Sequence, residues 1–302
     1  MPVAPGKPFF VAFSRRPFWG GRMILFGPAG VPLSSPSRNS EDGVREVKRL
    51  GLDLMEVEFV RGVNMSVASA AALGKVAAEN GVALTAHGPY FINLCSEEED
   101  KVEASVKRIL DTARRCHQFG GRSVTFHAAF FQKKGPEEVF ECVAGQMKDI
   151  LETLRSEGVT VALAPEVTGK PSQFAGIDEL TRLAQAVPGL SVCIDFSHHA
   201  ARLAGQENNY EGFCRALQMV KDRLGPGALR NLHMHSSGIE WTPKGEKKHH
   251  RLAESDFKWK EMVRALVDFE VGGMMVCESP AMEDDALILK AEYLKRLKAK
   301  KR

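Results

Sequence analysis

Eight short runs rich in β-branched and apolar residues recur along this chain, and a stretch with helical spacing separates each from the next. The runs are MILFG (23–27), LDLMEVEF (52–59), VALTAHG (82–88), SVTFH (123–127), VTVALAPE (159–166), LSVCID (190–195), LRNLHMH (229–235) and MMVCES (274–279). Between the third and fourth, Val102, Val106, Ile109, Leu110, Ala113 and Cys116 fall on one helical face. Between the fourth and fifth, Val139, Val143, Met147, Ile150, Leu151 and Leu154 do the same. This is the stripe of a helix lying on a sheet. Several of the helical stretches close on Gly, a usual helix stop, and a last helix is expected from about Glu283. Strand and helix alternating eight times predict an α/β chain folded as a single (β/α)8 barrel. The rival is an open doubly wound sheet, whose G-x-G-x-x-G turn is absent after the first run.

With 302 residues the chain is long enough for one such domain, expected over 23–302. Residues 1–22 hold aromatic residues, Arg and Gly but no long apolar run. They are set apart as an N-terminal extension of uncertain status rather than a secretory signal. The formal charge is +3, which demands neither a nucleic-acid nor a membrane partner, and the basic ending LKRLKAKKR reads as a solvated helix end. Six scattered cysteines with no C-x-x-C pair suit a reducing compartment, so a cytoplasmic location is expected. No apolar run approaches the roughly 20 residues that span a bilayer. A monomer is expected.

The ends of the runs carry the chemistry. The second run holds Glu56 and Glu58. The third reaches His87, the fourth His127, the fifth Glu166 and the sixth Asp195, with His198 three residues on. The seventh holds His233 and His235, and the eighth reaches Glu278. A single acid at a strand end is most often a helix cap, and a single His there is an ordinary polar residue. Together, in a closed barrel, these ends converge on one mouth. Their carboxylates would repel one another unless something positive sat among them. Imidazole nitrogens with carboxylate oxygens suit Zn²⁺, Mn²⁺ or Fe²⁺, so a metal site is expected at the C-terminal mouth. The long insertions, 27–40 and 236–255, both follow a strand and belong on that face. In the second, Glu246 and His249 lie three apart and could serve one metal from a turn or a helix. Lys244, Lys247 and Lys248 surround them, either as solvated surface or as phosphate attractors.

The segments HGPYFINL and VCIDFSHHAAR, with GLDLMEVEFVRGVNM, PEVTGK, HMHSSGIEWTPKGEKKHH and CESP in the same order, resemble the endonuclease IV family of apurinic/apyrimidinic endonucleases. They are similar in particular to a branch of endonuclease IV-like TIM barrels within the xylose isomerase-like superfamily. The resemblance implies two or three metal ions, zinc in the first place and manganese as an alternative. It implies His87 and His127 on a first metal, Glu166 bridging the first and second, Asp195, His233 and Glu278 on the second, and His198 and His249 on a third. Glu166 and Tyr90, the latter in HGPY, are the implied catalytic residues. The family pairs its third-metal His with an Asp two residues earlier; here that position is Lys247, and Glu246 would substitute. His233 is favoured over His235 for the one histidine of the second metal. The implied function is metal-assisted phosphodiester hydrolysis, cutting DNA 5′ to abasic sites in DNA repair. The alternative is a sugar isomerase or epimerase using one divalent metal between Glu166 and Glu278. A noncatalytic binder that kept the barrel is the least supported reading.

Overall fold

The structure is a computed structural model and describes residues 23–301. The extension set apart at 1–22 lies outside the described residues. In chain order come β1 (Ile24–Pro28), α1 (Ser40–Arg49), β2 (Leu54–Glu58), α2 (Val67–Asn80), β3 (Ala83–His87), α3 (Glu99–Gln118), β4 (Ser123–Phe126) and the two-residue β5 (Ala129–Phe130). Then follow α4 (Pro136–Ser156), β6 (Ala162–Pro165), β7 (Gln173–Phe174), α5 (Ile177–Ala186), β8 (Cys193–Asp195), α6 (Phe196–Arg202), α7 (Tyr210–Leu224) and α8 (Pro226–Leu229). The chain ends with β9 (Leu232–Ser236), β10 (Gly238–Thr242), β11 (Gly245–His250), α9 (Trp259–Asp268), β12 (Gly273–Cys277) and α10 (Glu283–Lys300).

Eight of these strands pair in parallel around a closed ring. One arc runs β2-β3-β4-β6 and the other β8-β9-β12-β1. The bridges Ala29↔Glu56 and Glu166↔Cys193 join the arcs at both seams. At the first seam Gly27 lies so near β2 that a Cβ would stand 1.7 Å from Leu54 O, so only a residue without one fits. Each of the eight runs read from the sequence overlaps one barrel strand, with β1, β9 and β12 reaching one residue beyond their runs, and the last helix begins at Glu283 as expected.

The period of two sorts the side chains. Along β2, Met55 and Val57 join the large core between barrel and helices, while Leu54 meets Met274 and Val276 in a small apolar plug inside the ring. Glu56 and Glu58 alternate with the first pair, so they share the inner face with Leu54. Each fully buried aliphatic or aromatic side chain of the outer core contributes roughly 1.5–3 kcal/mol, and these rigid walls hold the polar rim in place.

The 236–255 insertion departs from the expected turn or helix. It forms the antiparallel hairpin β10–β11, and its register shifts between Glu240 and Trp241: Lys248 pairs with Glu240, and Glu246 with Trp241. Lys247 is the extra residue of a β-bulge. In an unbroken strand, residues three apart face opposite ways. The bulge cancels one step, so Glu246 and His249 share a face, opposite Trp241 and Ile239.

Candidate metal centre

Glu166 sits at the middle of the mouth, 1% exposed, at the point where β6 meets β8. Its two oxygens face different neighbours. Oε2 lies 3.2 Å from His87 Nε2 and 3.5 Å from His127 Nε2. Oε1 lies 3.2 Å from His198 Nδ1 and 3.4 Å from His235 Nδ1. Against the opposing effect of burial, His235 and His127 hold this carboxyl well below the usual carboxylate range. His87, at the end of β3, places its Nδ1 2.7 Å from Gly88 O. Assigning that nitrogen as the donor leaves Nε2 free to face Glu166.

Asp195 combines its two possible roles. It caps α6, and its Oδ1 accepts from His198 N at 2.7 Å. Its Oδ2 has no hydrogen-bond partner and lies 3.3 Å from His198 Nδ1. The cap therefore fixes His198 directly above the acid. His199, the next residue, turns away from the mouth to Glu207, 3.7 Å distant. Glu278, just past β12, lies 3.2 Å from His235 Nδ1. Burial opposes its charge, yet His235 holds its carboxyl down at about 2.

The hairpin supplies a further cluster. His198 Nε2 stands 3.1 Å from His249 Nε2, and Glu246 lies 3.6 Å from each ring. Gly169, in the loop after β6, makes room for it: a Cβ there would stand 2.6 Å from Glu246 Cβ. Glu246 N donates to Gly169 O at 2.9 Å, which ties the hairpin to the rim.

Of the sequence-predicted residues, His87, His127, Glu166, Asp195, His198 and Glu278 converge at the mouth, and Glu246 and His249 join them through His198. Tyr90 is 58% exposed at the rim, with its ring centroid 6.1 Å from that of His87. For the seventh strand the structure differs from the sequence preference. His235 stands beside Glu166 and Glu278, whereas His233 lies one step lower, with Nδ1 3.0 Å from Ser123 Oγ and Nε2 3.1 Å from Glu56. Both point inward, as residues two apart on a strand must, and the strand's depth in the barrel selects between them. Sequence reasoning also left Glu58 without a role. Burial pushes its carboxyl up to about 8, and its Oε1 has no partner. The inward alternation of MEVE was the signal that could have found it.

A cation fits this donor set. Glu166 Oε1, Asp195 Oδ2, His235 Nδ1 and Glu278 Oε2 are buried without hydrogen-bond partners. Each would cost roughly 1–3 kcal/mol if left so. They lie on residues grouped so that ligand atoms fall within 4.8 Å of one another: His87, His127 and Glu166; Glu166, Asp195, His198 and Glu278; Glu56, His235 and Glu278; and Cys193, His233 and His235. His198, Glu246 and His249 form a further group beside them.

The barrel fold is one that a known family shares. Residues 44–297 match the family Xylose isomerase-like TIM barrel, and the chain belongs to that family. It is a family of enzymes that use divalent metals. An uncharacterized protein of Methanocaldococcus jannaschii is 38% identical over 271 residues, covering 90% of this chain and 97% of that one. A probable endonuclease 4 of Aquifex aeolicus is 24% identical over 155 residues, 51% of this chain and 55% of its own length. Among solved structures, a D-tagatose 3-epimerase-like protein superposes with a TM-score of 0.71 at 17% identity, covering 92% of this chain and 100% of that one. Endonuclease IV from Thermus thermophilus superposes with a TM-score of 0.67 at 21% identity, covering 90% of this chain and 99% of that one. These two likenesses establish the fold. Among the described residues, no helix is long and apolar enough to cross a membrane.

Proposed function

We propose that this chain is a metal-dependent phosphodiester hydrolase of the endonuclease IV type, which cuts DNA 5′ to abasic sites. The observation that carries this reading is the extent of the donor set. Glu166 faces His87 and His127 with one oxygen and His198 and His235 with the other. A separate cluster of His198, Glu246 and His249 adjoins it. Two or three ions, zinc in the first place, would be held by His87, His127 and Glu166, by Glu166, Asp195, His235 and Glu278, and by His198, Glu246 and His249. Bound there, they supply the Lewis acidity that activates a water and offsets charge on a phosphoryl group.

The chain's own residues supply the rest. Glu166 holds two parts of the site in fixed relation. Asp195 orients His198 through the helix cap. Tyr90 stands at the rim, where its hydroxyl can meet a phosphate or a displaced sugar. Lys244 and Lys248 project from the hairpin and favour an anionic backbone. Lys247 is drawn to Glu240 and contributes less. The test is a duplex carrying one abasic site: metal-loaded protein nicks it 5′ to the lesion, and chelator or Glu166→Gln abolishes the cut. An intact duplex at low salt would reject the assignment.

A sugar isomerase or epimerase is the second reading. It is favoured by the sufficiency of Glu166, Asp195, His235 and Glu278 for a single divalent ion, and it leaves the hairpin cluster without a task. One ion per chain and turnover of a ketose would support it.

A further inference from the structure

Below the mouth, the barrel carries a second polar layer that the proposed chemistry does not use. Glu56 on β2, Thr85 on β3, Ser123 on β4 and His233 on β9 are all buried, and Glu56 and His233 lie beside His235. Thr85 Oγ1 donates to Glu56 Oε2 at 2.7 Å. His233 Nε2 lies 3.1 Å from Glu56 Oε2, and His235 Nε2 lies 3.0 Å from Glu56 Oε1. Both contacts are short but lie outside hydrogen-bond geometry, and Glu56 Oε1 and the two nitrogens have no other partner among the described residues. Cys193 lies close by, but burial pushes its thiol up to about 12, so it adds no charge to the layer.

Without a cation the surrounding acids hold His235 well above its usual value; with a cation bound among them the rings are neutral, and the protons then have one consistent arrangement. An ionised carboxylate only accepts, so Glu56 needs an N–H from each ring that faces it. A neutral imidazole carries one proton, and both rings must then carry it on Nε2. His233 Nδ1 is left as an acceptor, which the Ser123 hydroxyl, 3.0 Å away, can fill. His235 Nδ1 is left with its lone pair, 3.2 Å from Glu278 Oε1 and 3.4 Å from Glu166 Oε1. A lone pair facing two carboxylates is tolerable when a cation lies among them.

We infer that Glu56, held by Thr85 and by the His233–Ser123 pair, is a positioning residue that fixes the ring plane and the Nε2–H tautomer of His235, so that Nδ1 is presented to the metal centre. This rests on the reading of the mouth as a metal centre and not on which bond is cut. An acid behind a ligating imidazole sets its orientation and raises its basicity. The supporting layer is closed to bulk solvent: Glu56 and His235 are 0% exposed and His233 is 1% exposed.

The test is a zinc titration of the full chain against a competing chelator, for the unaltered protein, Glu56→Gln and Glu56→Met. Glu56→Met is expected to weaken one ion by about 10–100-fold while the number bound at saturation stays the same. In Glu56→Gln the amide oxygen still accepts from His235, so its affinities should stay within about threefold. Unaltered affinities in Glu56→Met would overturn the inference by reducing Glu56 to packing. A lost ion in Glu56→Gln would overturn it by making Glu56 a ligand. Long-range ¹H–¹⁵N spectra of the zinc-loaded, unaltered protein read the tautomer without any variant: protonation of His235 at Nε2 is expected, and protonation at Nδ1 would overturn the inference. Cleavage does not enter these readouts. A protein that holds its ions this way yet leaves abasic DNA intact would fail the proposed function and keep this inference.

Discussion

His198 Nε2 and His249 Nε2 stand 3.1 Å apart, and each ring has its Nδ1 near a backbone carbonyl, Val167 O for one and Glu278 O for the other. If both Nδ1 atoms donate to those carbonyls, two Nε2 lone pairs face each other beside the Glu246 carboxylate. A shared proton or a cation resolves that opposition, and the acid beside it stabilises either one; the metal count decides between them. His249→Ala should therefore lower the bound-metal count by one. Abasic-site nicking should fall by about 100-fold, roughly 2.7 kcal/mol on the barrier. Metal analysis and a nicking assay on the same sample check this, and an unchanged count would remove the third site.

Gly169 holds that cluster open. Gly169→Ala would set a Cβ 2.6 Å from Glu246 Cβ, a backbone-proximal atom that cannot swing aside. Overpacking of this kind costs roughly 1–3 kcal/mol. Thermal denaturation should show that loss. Metal analysis should show the hairpin ion gone and the ions nearer Glu166 retained.

The sequence carried the barrel because each strand is short, apolar and separated from the next by one amphipathic helix, so a local pattern repeats the global one. It carried His87, His127, Glu166, Asp195 and Glu278 because barrel closure brings strand ends together whatever the details. The hairpin was not legible, since the bulge at Lys247 breaks the alternation that marks a strand. Nor was the depth of β9 legible: a period of two places His233 and His235 on the same face and says nothing of which one reaches the rim.

Asp195 offers a way to separate folding from metal binding. Its Oδ1 caps α6, and the opposite oxygen faces His198. Asp195→Asn keeps an oxygen for the cap and removes the charge. Asp195→Ala removes both, and loss of a cap costs about 1 kcal/mol. In chelator, the Asn variant should melt nearer the unaltered protein than the Ala variant does. In metal, both should bind fewer ions. Equal melting of the two variants in chelator would contradict the capping role.

The stability of the metal-free protein should depend on pH in a definite direction. Burial opposes charge on His87, but the hydrogen bond to Glu166 and the charges of Glu58, Glu166 and Glu56 raise it to about 10 from 6.5. A raised value stabilises the fold fully below the unfolded value, and that contribution is lost as pH climbs toward the folded one. Glu58, pushed up by burial from 4.5 to about 8, acts in the same direction at lower pH. Glu278, held down from 4.5 to about 2, works the other way: its contribution is present above pH 4.5 and is lost as pH falls from there toward about 2. The chelated protein should therefore lose thermal stability between pH 6.5 and about 10. Metal binding needs neutral imidazoles and releases their protons, so added zinc should stabilise more as pH rises through this window. Calorimetry at several pH values, with and without zinc, checks both slopes; parallel slopes would contradict the account.

The count of ions in the protein as purified tests the central claim most directly. Elemental analysis of the full chain, with protein concentration from amino-acid analysis, should give two or three equivalents of zinc, falling by one in His249→Ala. A single equivalent of manganese or magnesium, unchanged by that substitution, would contradict it.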